Sequence, residues 1–381
     1  MTVHLRGMTW EHARGHGSVV AAAEAYRALH PDVEMTWEYR SLQAFADYPL
    51  EKLTDDFDLL VIDHPHIPFA AENGLFAPLD GAGHDEALAL LSRQSVGASH
   101  RSYSYAGRQW GLASDAAAQV SAFRPDLLDA PPADWDEVFA LAEEGRVLWP
   151  YKPVDAFSSL VTVAAGQGEE AMRTEGVFLT APALGAAMSV LRRLASLVPA
   201  ENATWNPIQT ADALSAAGND RYAYAPLLFG YTNYSRAGFR PNRLRYSDIP
   251  ASRLGVRGSL LGGAGIAVSA ASEHLAEAVA HAFWLASAEV QEGVYYDGGG
   301  QPGNAVAWES DRTNADSLDF FRGTRATLEG AYLRPQHPRY IELQNELSEH
   351  VTAALLGELD DDDLRARLDE GVATWLGGPE R

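Results

Sequence analysis

The sequence predicts an α/β protein of two lobes, on three observations: chain length, the supply of apolar side chains and a strand–helix alternation that opens at the N-terminus. At 381 residues the chain exceeds the size at which one hydrophobic core keeps growing. Apolar residues make up 46% of it, enough for two cores.

Val3 to Met8 reads as a short strand, and a helical run from Val19 to Leu29 stops at His30-Pro31. Val33 to Tyr39 alternates like a second strand, Leu42 to Leu53 offers a helix, and Asp58 to Asp63 is a compact buried strand. This β-α-β-α-β order implies a parallel sheet with ligands at the carboxyl ends of its strands. Trp10-Glu11-His12 and Asp63-His64-Pro65-His66 stand at two such ends.

Further on, Asp134-Trp-Asp-Glu137 combines an N-cap with acidic first-turn residues and opens a helix to Ala142. Ala183 to Leu197 is helical, whereas Tyr222 to Tyr246 is aromatic and polar with little helical period. Gly262-Gly263-Ala264-Gly265 is a bend leading into a strand, Ala276 to Leu285 is a helix, and Tyr295 to Pro302 is a loop. Leu318 to Leu376 reads as helices separated at Arg334-Pro335 and at Gly357 to Asp363.

Composition excludes several classes. The formal charge is −23, from 52 acidic against 29 basic residues, and no Lys/Arg cluster follows a phosphate backbone, so no nucleic acid is expected as a partner. The chain has no Cys, which removes disulfides, thiolate catalysis and thiolate metal sites. No run reaches the roughly 18 apolar residues of a membrane span, so no membrane insertion is expected. Met1 to Val20 is too polar for a secretory signal. The expected location is extracytoplasmic if a leader precedes this sequence, and cytoplasmic if Met1 is the native start.

The order of segments resembles the bacterial extracellular solute-binding proteins of ABC importers, the maltodextrin and carbohydrate binders among them. Five motifs carry the resemblance: Ala71-Glu-Asn-Gly-Leu-Phe-Ala-Pro-Leu79 after the third strand, Gly107 to Leu128, Pro132 to Val138, Gly262 to Pro302, and Ala331-Tyr-Leu-Arg-Pro-Gln-His-Pro-Arg-Tyr340. The resemblance implies a two-lobed, periplasmic-binding-protein-like fold of type II, each lobe a mixed, mainly parallel sheet flanked by helices. It implies residues 1–111 with 258–308 in one lobe and 112–257 with 309–381 in the other, hinges at Gly111-Leu112-Ala113, Arg257-Gly258 and Trp308-Glu309, and a small-molecule ligand between the lobes. It further implies a monomer that serves an ABC permease.

The candidate binding residues follow from topology and side-chain type. Glu11, His12, Asp63, His64 and His66 offer acceptors and donors at strand ends, and Trp10 offers a face for a sugar ring. Pro65 pushes His64 toward extended geometry, which would turn both imidazoles toward the ligand. The resemblance adds Asp115 as a polar contact. From the second lobe come Trp205 and a pair drawn from Tyr224, Phe229, Tyr231 and Tyr234. Gly262, Gly263, Tyr296 and Gly299 lie where backbone would approach the ligand closely. Neither glycine run is followed by Lys-Ser/Thr, so no nucleotide loop is expected, and no cofactor is assigned. Glu11, His12, His64 and His66 are of metal-ligating type but lack a supporting spacing, so no metal is assigned. A second reading is a cytosolic enzyme on the same scaffold, with His12, His64, His66, Glu11 or Asp63 moving protons on a small polar substrate.

Overall fold

A computed structural model describes residues 2–40, 49–81 and 83–377. The strands are β1 (Val3–Trp10), β2 (Val33–Arg40), β3 (Leu59–Asp63), β4 (Ser104–Tyr105), β5 (Arg108–Gln109), β6 (Leu112–Ala113), β7 (Ala117–Phe123), β8 (Tyr224–Phe229), β9 (Arg245–Ser247), β10 (Leu261–Gly262) and β11 (Ala264–Val268). The chain folds into two compact units, 1–116 with 262–314 and 117–261 with 315–381. It passes between them a few residues later than the sequence placed the crossovers. The reason is local: β6 pairs with β11, and the Asp115 N–H donates to the Ala264 carbonyl, which keeps both segments in the first unit.

The first unit's sheet has the order β2-β1-β3-β11-β6. β1 pairs parallel with β2 and with β3, as strands joined by helical crossovers do, while β11 runs antiparallel to β3 and β6. The helix Ser18–Leu29 buries Val19, Ala22, Ala23 and Tyr26 on one face of this sheet. Leu50, Leu53, Ile62 and Phe76 belong to a second apolar cluster of the unit. The helix expected from Leu42 is observed from Leu50 to Asp56, and its predicted start lies outside the described residues.

In the second unit β7 takes the centre, with β10, β8 and β9 paired to it. Here the expected mainly parallel character does not hold, because β7 pairs antiparallel with β8 and with β9. Between β7 and β8 lies a long excursion through the helices Trp135–Glu143, Pro153–Gly166 and Ala181–Leu197, so no single right-handed β-α-β crossover dictates the direction of return. Asp134 caps the first of these helices by accepting from the Glu137 N–H at 3.0 Å, as its position predicts. One large core joins these helices to Tyr340–Leu355 and Asp361–Leu376.

Candidate functional site

In the first unit the carboxyl ends of β1 and β3 come together with the start of β11 and with Asp115. The pairing of Asp63 with Ala264 and the bond from the Asp115 N–H to Ala264 bring these segments to one edge. β1 runs on to Trp10, whose side chain is 6% exposed and belongs to the core. Its indole lies against Gly15, where an added Cβ would stand 2.5 Å from the ring. His12 caps the π-helical turn Ala13–Gly17, its Nδ1 accepting from the Arg14 N–H at 3.0 Å. Glu11 and Asp63 are exposed, and His12 and His66 are half-buried.

Below this rim sits a buried ion pair. Arg14 donates from Nε to Asp115 Oδ2 at 2.6 Å and from Nη2 to Oδ1 at 2.5 Å. Burial pushes the Asp115 carboxyl up, and the Arg14 guanidinium opposes that shift while the Asp63 charge adds to it. Both carboxylate oxygens of Asp115 are thus engaged inside the unit, which corrects the expectation of Asp115 as an open polar contact. Arg14 escaped the sequence reading because nothing local distinguishes it from a solvated arginine.

Other expectations are corrected too. His64-Pro65-His66 forms a 3-10 turn rather than an extended segment, since proline is tolerated at the start of a helical turn, where its missing N–H has no partner to lose. The His64 ring is 2% exposed and stands edge-on to Tyr103 at 6.3 Å, so it faces the unit's interior. Tyr296 is buried with its hydroxyl donating to the Thr313 carbonyl at 3.2 Å, a packing role. Gly262 and Gly263 remain half-exposed at the rim, with Gly263 at φ +95°, a conformation that favours glycine. Gly299 is buried at φ +104° in a loop that packs on the first helix, where a Cβ at Gly17 would lie 2.6 Å from the Gly298 carbonyl oxygen. Among the described residues no three His, Asp or Glu side chains gather into a group able to hold a metal ion.

In the second unit Tyr224 is fully buried in the core, its hydroxyl 2.8 Å from Ser121 Oγ, so it is not a contact residue. Tyr234 is likewise buried, its hydroxyl donating to Asp212 at 2.8 Å. Phe229 and Trp205 are half-buried, and Tyr231 is buried. The neighbour of Trp205, Asn206, forms a capping box with Gln209 at the start of the helix Pro207–Ser215.

A family model described as bacterial extracellular solute-binding protein matches residues 21–320. The chain belongs to that family. Among curated proteins none matches this solute-binding protein. Its fold is that of two-lobed binding proteins of known structure. The GacH receptor of Streptomyces glaucescens, solved unliganded and with acarbose, superposes with a TM-score of 0.80 at 17% identity, covering 99% of each chain. Maltose-bound T. maritima MalE3 gives a TM-score of 0.82 at 16% identity over 98% of this chain and 100% of its own. A solute-binding protein of Agrobacterium radiobacter K84 in complex with ribitol gives 0.80 at 18% identity over 98% of both. No helix among the described residues of this solute-binding protein is long and apolar enough to cross a membrane.

Proposed function

We propose that this solute-binding protein captures a sugar or polyol on the outer side of the cytoplasmic membrane and delivers it to an ABC-type permease, working as a monomer. The observation that carries the reading is the rim of the first unit. Exposed carboxylates at Glu11 and Asp63 and half-buried imidazoles at His12 and His66 stand at adjacent strand ends, a donor and acceptor set suited to hydroxyl groups. Structural relatives hold acarbose, maltose, tagatose and ribitol, which supports the same ligand class.

Calorimetric titration with ribitol, tagatose and maltose tests it. Binding of at least one, weakened by Asp63→Ala, is expected; no heat from any of the three with folded protein would sink the reading. Capture also rearranges the two units, so saturating ligand should reduce the radius of gyration in small-angle scattering. An unchanged radius at confirmed saturation removes that part of the reading.

A further inference from the structure

The second unit holds a carboxylate that its own fold leaves without a hydrogen bond. Asp155 lies in the first turn of the helix Pro153–Gly166 and is 3% exposed, yet no described residue donates to its side chain, and Oδ2 is fully enclosed. A buried ionised carboxylate is stable only when donors or a counter-charge compensate it. The charged group facing it is Lys152, the half-exposed N-cap of the same helix. No charged group from the other elements packed on this helix, the strands β7 and β8 and the helices Ala181–Leu197 and Tyr340–Leu355, acts on it. Burial pushes the carboxyl up to about 7 against the pull of Lys152.

Its place in the fold gives this group a partner to meet. Val147 bridges Tyr224 in parallel, and the Leu148 N–H donates to the Tyr224 carbonyl at 2.9 Å. The segment from Val147 to Tyr151 therefore runs the same way as β8 and carries the helix start toward the carboxyl end of that strand, where Phe229 and Tyr231 stand. The Trp149 and Tyr151 rings are stacked, with centroids 4.8 Å apart. Asn202 ties this segment down: its Oδ1 accepts from the Trp149 N–H at 2.9 Å and its carbonyl from the Tyr151 N–H at 3.1 Å. Its Nδ2 is buried and donates to no described residue. Trp205 follows three residues later and donates its N–H to the same Asn202 carbonyl. One end of the sheet thus carries an unused acceptor, an unused donor and a stacked aromatic pair, all enclosed by the fold, so a solute meets them only when this end opens.

We propose that Asp155 is the specificity-determining carboxylate of the second unit, accepting hydroxyl hydrogens from a neutral polyhydroxylated solute. The proposal rests on the solute-binding reading above and names the group by which that site selects hydroxyl donors. A bound hydroxyl compensates the ionised form, so capture favours loss of the Asp155 proton and binding tightens as pH rises.

The test uses the full chain with ribitol, tagatose and maltose as probes in calorimetry at pH 8 and pH 6. For whichever probe binds, wild-type affinity should fall about tenfold between these values, because a carboxyl titrating near 7 goes from about 90% to about 10% ionised. Asp155→Asn should weaken the same probe at least tenfold at pH 8, as expected for a lost charge-assisted hydrogen bond, and should abolish the pH response. Without ligand, the same variant should unfold at an equal or higher temperature at pH 8, because burial disfavours the Asp155 charge by more than Lys152 offsets. Unchanged affinity at both pH values overturns the role of Asp155 while leaving the solute-binding reading intact. A lower unfolding temperature with unchanged affinity does the same and makes Asp155 a structural carboxylate. Failure of wild type to bind any of the three overturns the functional reading, and the Asp155 proposal with it.

Discussion

Arg14 and Asp115, 101 residues apart in the chain, form a bidentate ion pair in the interior of the first unit. It fastens the turn after β1 to Asp115, two residues past β6, and so holds the backbone on which Glu11 and His12 are displayed. Taking two charges out of water is costly, and the geometry here offsets that cost with two short charge-assisted bonds.

Removing one member should therefore be worse than removing both. Arg14→Met is expected to lower unfolding stability by about 3–5 kcal/mol, by leaving Asp115 buried and uncompensated. The double variant Arg14→Met with Asp115→Leu should recover a large part of that loss. Urea unfolding of the three proteins measures it, and equal losses in the single and double variants would contradict the coupling.

The Trp10 indole is held by the absence of a side chain at Gly15, where a Cβ would meet the ring at 2.5 Å. Gly15→Ala should displace the indole and cost about 1–3 kcal/mol of stability. It should also weaken any sugar or polyol that the wild type binds. A variant with wild-type stability and affinity would show that the ring has room to yield.

Tyr224 and Trp205 should separate stability from binding. Tyr224→Phe removes the bond to Ser121 in a buried core and is expected to cost about 1 kcal/mol with no change in ligand affinity. Trp205→Ala, at a half-buried position, should reduce affinity with a smaller effect on folding. Thermal unfolding and calorimetry on both variants give the comparison, and the reverse pattern would reassign the two aromatics.

His281 supplies an acid-sensitive contribution to folding. Its imidazole is fully buried between Tyr26 and Trp284, and burial, helped by nearby His30, lowers its pKa from 6.5 to about 3. A group whose folded pKa is depressed adds stability above its unfolded value and loses it as pH falls, because the unfolded chain takes up the proton first. At pH 5 that loss is about 2 kcal/mol, and it continues to grow toward pH 3. His281→Phe should flatten the stability profile between pH 6.5 and pH 3, and an unchanged profile would place the acid sensitivity elsewhere.

Much of the architecture was legible from local patterns. Short apolar or alternating runs located β1, β2 and β3, a glycine-rich bend pointed to β11, and an N-cap with acidic residues behind it located the helix Trp135–Glu143. The five motifs in family order pointed to the solute-binding family whose model matches residues 21–320. These signals are local because they arise from side-chain spacing along one element or from hydrogen bonds closed within a single turn.

Tertiary structure decided which side chains are free to act. In β8 one extra residue between Ala225 and Leu228, with Leu227 at φ +50°, breaks the alternation of faces. Strict alternation would set Tyr224 and Phe229, five residues apart, on opposite faces, whereas the extra residue pairs them with Phe123 and Gln119 on one face. Their difference in exposure therefore comes from what packs over each end of the strand. The pairing of Arg14 with Asp115 spans 101 residues, and the enclosure of Asp155 depends on the helices and strands around it. Spacing along the chain sets what a residue can do with its near neighbours. Desolvation and long-range partnering, which decide whether a charge is a strut or a ligand contact, exist only once the distant segments have packed.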